Sequence, residues 1–267
     1  YFASRRGTAA NAEQNAILTW SEGNGWLMKK LADPLENHIH KSSLCYNLKL
    51  TSGGVEAAIY DTKTEKTTLI EAEQVILATP QFVNQKLLQS FDRDIDYKFF
   101  NYSPWIIANI TISELPGSKG VNLSWDNVAY GTRSVGYVNA AQQHLSLHED
   151  RKVISFYLPL CDFEPAIARL AAYSRTYDQW LDIIIPELEH MHPNITEAIE
   201  NIDIWVWGHG MIAPTQDFIW SEHIKNARKP IKNKIFFAHT DLSGISIFEE
   251  AFHQGIAAAK QVLQTNV

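Results

Sequence analysis

The residues with the clearest chemical potential lie near the C-terminus. Ile235-Phe236-Phe237-Ala238 reads as a short apolar strand, and His239-Thr240-Asp241 follows it. After Leu242-Ser243-Gly244, the run Ser246-Ile247-Phe248-Glu249-Glu250-Ala251 opens a helix rich in alanine (Ala251, Ala257, Ala258, Ala259). A strand that runs into the start of a small-residue helix offers backbone N–H groups and a positive dipole end to a phosphate, a carbonyl oxygen or another anion. An ionised Asp241 only accepts hydrogen bonds, so it suits the hydroxyl donors of a ligand, and it suits the capping of a turn equally. Glu249 and Glu250 fall in the first helical turn, where acids are favoured without any ligand. His239 either lies against a ligand or caps the strand end.

Other chemistries find less support. There is no Gly-x-Ser-x-Gly elbow and no P-loop, which argues against a hydrolase of that type and against an NTPase. The histidine spacing gives no expectation of a metal site: His38 and His40 are two apart on a strand, and His190 and His192 flank a helix end. Cys45 and Cys161 make no CxxC pair and read as two reduced core thiols, as in a cytosolic protein.

Three segments occur in an order that resembles the FAD-dependent amine oxidase and phytoene desaturase superfamily. They are Leu18-Thr19-Trp20-Ser21-Glu22-Gly23-Asn24-Gly25-Trp26-Leu27, Val75-Ile76-Leu77-Ala78-Thr79-Pro80, and the strand, Asp and helix of 235–251. The resemblance implies an FAD cofactor. It implies that Asp241, Phe248 through its N–H, and Glu249 contact the ribityl and isoalloxazine parts. It further implies that Leu44 touches the adenine through its backbone, and that Thr79 stands where the chain leaves the cofactor domain. Substrate-cavity positions implied on the same basis are Trp125, Tyr130, Trp207 and His209, each of which could instead be a core side chain. The reaction implied is hydride transfer to flavin from an amine or a carbon chain undergoing desaturation. The alternative is a non-catalytic module that keeps the fold to bind a ligand or partner.

Two departures from that pattern stand out. His239 occupies a position where many relatives have glycine. No Gly-x-Gly-x-x-Gly occurs anywhere, so the strongest diphosphate anchor of a dinucleotide site is absent from this stretch. The expectation is a C-terminal fragment of a longer enzyme, binding FAD poorly or not at all and inactive by itself.

The elements needed to position these residues can be read from periodicity. A helix starts at Asn24 or Gly25 and stops near Asp33-Pro34. A strand over 39–50 places Leu44, Tyr46, Leu48 and Leu50 on one face, and Ser52-Gly53-Gly54 turns it into Val55 to Asp61 and then Thr67 to Ala72. Gln74 to Thr79 is continuously apolar, as in a parallel strand buried on both faces, and a helix from Phe82 follows. Strands are expected at Trp105 to Ile112, Val128 to Tyr130, Val153 to Leu160 and Ile202 to Trp207. Helices are expected at Glu164 to Tyr173 and Arg175 to His190, with a turn at Gly208-His209-Gly210-Met211 and a solvated basic loop over 225–234. The fold class is thus α/β plus α+β. A Rossmann-like FAD-binding remnant occupies 1–92 and 229–267, and an antiparallel-sheet substrate domain spans 93–228.

The 267 residues, 45% hydrophobic and 20% charged, suffice for one large or two modest domains. A net charge of −7 without any basic stripe disfavours nucleic acid as a partner. No apolar run reaches the roughly 18–20 residues of a membrane span. The partner expected is a small-molecule substrate, with a cytoplasmic location favoured and the oligomeric state open.

Overall fold

The computed structural model describes residues 20, 22–115, 124–140 and 151–265. Among these, Lys29–Asn101 together with Ile212 onward form one compact unit, and Tyr102–Met211 with the residues around Trp26 form another. The first holds a three-stranded and a two-stranded sheet, and the second a five-stranded one. Helix α1 (Asn24–Ala32) starts where expected, although Leu18, Thr19 and Ser21 of the first family-like segment lie outside the described residues.

The first unit begins with an antiparallel meander, β1 (Ser43–Leu50), β2 (Val55–Asp61) and β3 (Lys66–Ala72). Its first turn needs glycine at position 54, because a Cβ there would sit 2.1 Å from the Ala72 carbonyl oxygen. The second turn is set by Asp61, whose carboxylate accepts from the N–H groups of Lys63 and Thr64 at 2.8 and 2.9 Å. The expectation of one apolar face along β1 fails. The register shifts between Cys45 and Asn47, so Leu44 pairs with Tyr60 whereas Leu48 pairs with Ala57. One extra residue reverses the inward–outward alternation, leaving Leu44 56% exposed and Leu48 1% exposed.

The same unit joins the two ends of the chain. β4 (Val75–Leu77) and β10 (Ile235–Phe237) pair in parallel, Val75 with Ile235 through Leu77 with Phe237. Parallel pairing agrees with the continuous apolar run. Burial on both faces holds for β10 but not for β4, where Ile76 is 40% exposed. Around the pair lie α2 (Gln81–Leu87), α6 (Glu222–Arg228) and α7 (Phe248–Thr265). The basic stretch 225–234 is therefore not all loop. Ser221 caps α6 by accepting from the Ile224 N–H, and the helix takes up residues through Arg228. Arg93 stacks over the Phe237 ring at 4.2 Å and donates to the carbonyl of Ala227 at 3.1 Å.

The second unit is a five-stranded sheet in the order β6-β7-β8-β5-β9. Its strands are β5 (Tyr102–Ile112), β6 (Asp126–Asn127), β7 (Tyr137–Asn139), β8 (Lys152–Pro159) and β9 (Ile199–Ile212). β5 and β8 are antiparallel, Trp105 opposite Pro159 and Ile112 opposite Lys152. Helices α3 (Pro165–Ser174), α4 (Tyr177–Met191) and the short α5 (Ile195–Ala198) complete the unit. Ile106, Ala108 and Ile110 of β5, Ile154, Phe156 and Leu158 of β8, and Trp180, Ile184 and Leu188 of α4 form one core. The helices therefore cover a single face of the sheet, held there by apolar burial worth about 1.5–3 kcal/mol for each large side chain. Glu164 caps α3, and Thr176 with Gln179 forms a capping box on α4.

Three expectations need correction here. Val128 to Tyr130 is not a strand; the two-residue β6 precedes it and a turn follows. Gly208-His209-Gly210-Met211 is not a turn but part of β9, which runs well past Trp207. Neither cysteine is a core thiol: Cys45 is half-buried and Cys161 exposed, both free. No helix among the described residues is long and apolar enough to cross a membrane.

Candidate functional site

In an open α/β arrangement, ligands gather outside the carboxyl ends of the parallel strands. β4 delivers Ala78-Thr79-Pro80-Gln81 there, and β10 delivers Ala238-His239-Thr240-Asp241. The two segments are locked together. The Asp241 carboxylate, 1% exposed, accepts through Oδ2 from the N–H of Gln81 at 2.7 Å. A hydrogen bond to a charged acceptor contributes about 1.5–3 kcal/mol. Asp241 Oδ1 lies 3.0 Å from His239 Nδ1, and the Asp241 N–H donates to that same nitrogen at 3.1 Å. The carboxylate faces inward and braces the strand end. Of the two roles left open for His239, the cap is formed, as its side chain closes the 3-10 turn Thr240–Leu242. The imidazole keeps 26% of its surface exposed.

Thr79 donates from Oγ1 to Asn84 Oδ1 at 2.6 Å and accepts at its carbonyl from Asn84 Nδ2 at 3.2 Å, so it fixes the entry to α2. Gln81 is fully buried at this end, and neither of its side-chain amide atoms has a hydrogen-bond partner among the described residues. Native proteins rarely keep such a group without a ligand or water for it. A polar cofactor fits that donor set. Gly244, at φ +75, lets the chain turn from the strand end toward α7. Phe248 begins α7 and stacks on Phe252 at 6.2 Å between centroids, with Glu249 half-buried beside it. Leu44 lies elsewhere in this unit, on β1, which is an edge strand with one row of backbone groups not used by the meander.

The second unit presents the other candidate surface. Strand alternation sends Ile202, Ile204 and Val206 of β9 toward the helices and Trp205, Trp207 and His209 to the opposite face. Trp207 is 56% exposed. The residues of β5 and β8 on this face are Trp105, Ile107, Asn109, Thr111, Val153, Ser155 and Tyr157, none of them formally charged at neutral pH. Ser155 Oγ donates to Asn109 Oδ1 at 2.7 Å. Burial, and then the nearby Asp126 charge, push the Tyr157 hydroxyl above its ordinary value.

The glycines flanking His209 have specific causes. A Cβ on Gly208 would lie 2.4 Å from the Tyr173 hydroxyl, and one on Gly210 would lie 2.9 Å from Trp105 Cδ1. Arg169 reaches from α3 to the carbonyls of Tyr102 and Gly208 at 3.3 and 2.9 Å. His209 meets the Tyr102 ring edge-on at 5.6 Å. Burial first, and the Arg169 charge second, lower its proton affinity. Trp125 is exposed and its carbonyl accepts from the Asn139 N–H at 2.9 Å, whereas Tyr130 stands fully exposed on a turn. The fold thus places Trp207 and His209 on β9, at one edge of the sheet, and Trp125 and Tyr130 next to β6, at the opposite edge, so it does not bring the two pairs together.

Gln81 was missed from the sequence, because an amide beside a proline carries no signal until its burial is known. His144 and His148, four residues apart, were also overlooked; both lie outside the described residues. Among the described residues no group of three or more His, Cys, Asp or Glu converges on a common point.

No family model matches the sequence, and no curated protein sequence matches it significantly. Solved structures do match in fold. A putrescine oxidase bound to putrescine aligns with a TM-score of 0.65 at 14% identity, over 91% of this chain and 53% of its own. A protoporphyrinogen oxidase-like protein of Exiguobacterium sp. 255-15 gives 0.63 at 12% identity, over 95% of this chain and 54% of its own. Cyclohexylamine oxidase from Brevibacterium oxydans IH-35A gives 0.57 at 12%, over 92% and 53%. The chain spans about half the length of these structures. All three are oxidases by name, and at these identities the likeness is one of fold, the level at which it agrees with the resemblance of the sequence segments.

Proposed function

We propose that this chain is the part of an FAD-dependent oxidoreductase that holds the inner end of the cofactor and forms the substrate surface. The observation that carries the reading is the convergence of Thr79, Gln81, His239 and Asp241 at the carboxyl ends of a parallel strand pair, in a chain whose fold is that of flavin oxidases over nine-tenths of its length. On this reading β4 and β10 are the remnant of a Rossmann-like sheet. Phe248 and Glu249 meet the cofactor from the start of α7, and Thr79 from the end of β4. Leu44 offers backbone groups from the edge of β1. Asp241 acts by bracing the cradle from beneath, with Oδ2 on the Gln81 N–H.

Bound flavin would supply the hydride acceptor. The protein's own task is then to orient a substrate and exclude water. The sheet face bearing Trp207 and His209 on β9 is the proposed substrate surface, with Trp125 and Tyr130 at its far, β6 edge, and its uncharged centre suits the neutral form of an amine or an apolar carbon chain. The dinucleotide fingerprint is not in this sequence, so the 267-residue chain alone should hold FAD weakly and be inactive. The test is the visible spectrum of the intact protein after purification. Flavin absorbance that copurifies through gel filtration is the expected result, and a well-folded, colourless protein that takes up no added FAD would refute the proposal.

A further inference from the structure

We propose that His239 is a ligand-binding residue whose Nε2–H is a fixed hydrogen-bond donor to an oxygen atom of the molecule held at the ends of β4 and β10. The ligand's identity, a flavin, rests on the reading above, whereas the donor follows from local geometry. The Asp241 N–H points at His239 Nδ1 at 3.1 Å. A ring nitrogen that accepts carries no proton, so the neutral imidazole has its proton on Nε2. Were the ring to gain a second proton, Nδ1 would carry it 3.0 Å from Asp241 Oδ1, and Nε2–H would stay. Both states present the same donor. Only the neutral Nδ1–H tautomer would remove it; the Asp241 N–H opposes that tautomer, whereas Asp241 Oδ1, 3.0 Å from Nδ1, favours it, so the tautomer itself is a test of the assignment.

The surroundings keep this donor in place. Asp241 is fixed by the Gln81 N–H and is buried, while the imidazole remains about one quarter exposed. Against the 3-10 turn pack α6 and α7. The charged or titratable groups on the near ends of these helices are Arg228, whose Nε donates to the Leu242 carbonyl at 2.8 Å, and Glu249, Glu250 and His253. The buried amide of Gln81 at the same strand ends, without a partner among the described residues, is an independent sign that a polar ligand belongs there. An N–H donor calls for a carbonyl or negatively charged oxygen, which both the isoalloxazine carbonyls and the diphosphate of FAD possess.

Two substitutions separate the donor from the cap. His239→Asn keeps an acceptor near the Nδ1 position and loses the far N–H; His239→Gln reaches the far position with an amide N–H and loses the near acceptor. In the intact protein, the dissociation constant for FAD, read from flavin fluorescence, should rise about tenfold in His239→Asn and stay within about threefold of wild type in His239→Gln. The opposite order, or no loss in His239→Asn, overturns the proposal while leaving the flavin reading intact. Wild-type protein that binds no FAD overturns both. Repeating the titration with riboflavin locates the acceptor: an equal loss in His239→Asn places it on the ring system or ribityl chain, and a loss seen only with FAD places it on the diphosphate. Should neither variant fold, 15N-resolved NMR of wild-type His239 still decides, because a neutral Nδ1–H tautomer would contradict the assignment.

Discussion

Replacing Tyr137 by phenylalanine should weaken the fold at neutral pH and strengthen it, relative to wild type, in alkali. Tyr137 is wholly buried, and its hydroxyl lies 2.6 Å from Nε2 of His192, itself buried. Losing one hydrogen bond of this kind costs about 1–2 kcal/mol. Burial also pushes the Tyr137 hydroxyl up to about 12, against an ordinary value near 10 in the unfolded chain. The native state therefore keeps a proton that the unfolded chain has already released. That contribution is whole below pH 10 and is lost as pH rises toward 12, by roughly 1.4 kcal/mol at pH 11 and about 2 kcal/mol at pH 12. Phenylalanine has no such dependence. Subtracting the two stability curves cancels every other titrating group that the proteins share. The difference should thus favour wild type by about 1–2 kcal/mol at pH 7, vanish near pH 11 and change sign above it. Urea unfolding followed by tryptophan fluorescence, at intervals from pH 7 to 11.5, measures it. Parallel curves over the whole range would refute the argument that burial governs this hydroxyl.

The glycines offer a graded test. Gly136→Ala would force a residue at φ +73 and set its Cβ 1.8 Å from the Asn127 carbonyl oxygen, so a loss on the order of 3 kcal/mol is expected. Gly208→Ala meets only the outer end of the exposed Tyr173 ring and should cost less than about 1 kcal/mol; denaturation midpoints showing equal losses would count against this account. Arg169→Met should raise the proton affinity of His209, since the Arg169 charge is one of the two influences lowering it. An NMR titration in which His209 protonates at the same pH in both proteins would exclude that coupling. Thr176→Ala, which removes the capping box of α4, should lower stability by about 1 kcal/mol, and an unchanged melting temperature would show that tertiary packing alone fixes the helix start.

The sequence by itself determined what depends on local periodicity and on turn chemistry. Residue pattern alone located β2, β5, β8 and the helix α4 to within a few residues. The unbroken apolar run before Thr79 announced a parallel strand, which β10 supplies. Tertiary structure decided the features that rest on partners distant along the chain. The extra residue in β1 turns Leu44 and Leu48 to opposite faces, and only the pairing with β2 reveals it. Gly208 and Gly210 read as a turn, yet they continue β9 because Tyr173 and Trp105 occupy the space that side chains would need. Asp241 reads as a group for a ligand or for capping a turn; that its carboxylate also accepts from the N–H of Gln81, 160 positions earlier, only the fold reveals. A short window reports which way a residue points along its own helix or strand. Which group waits there to receive it is fixed only when segments remote in sequence have packed.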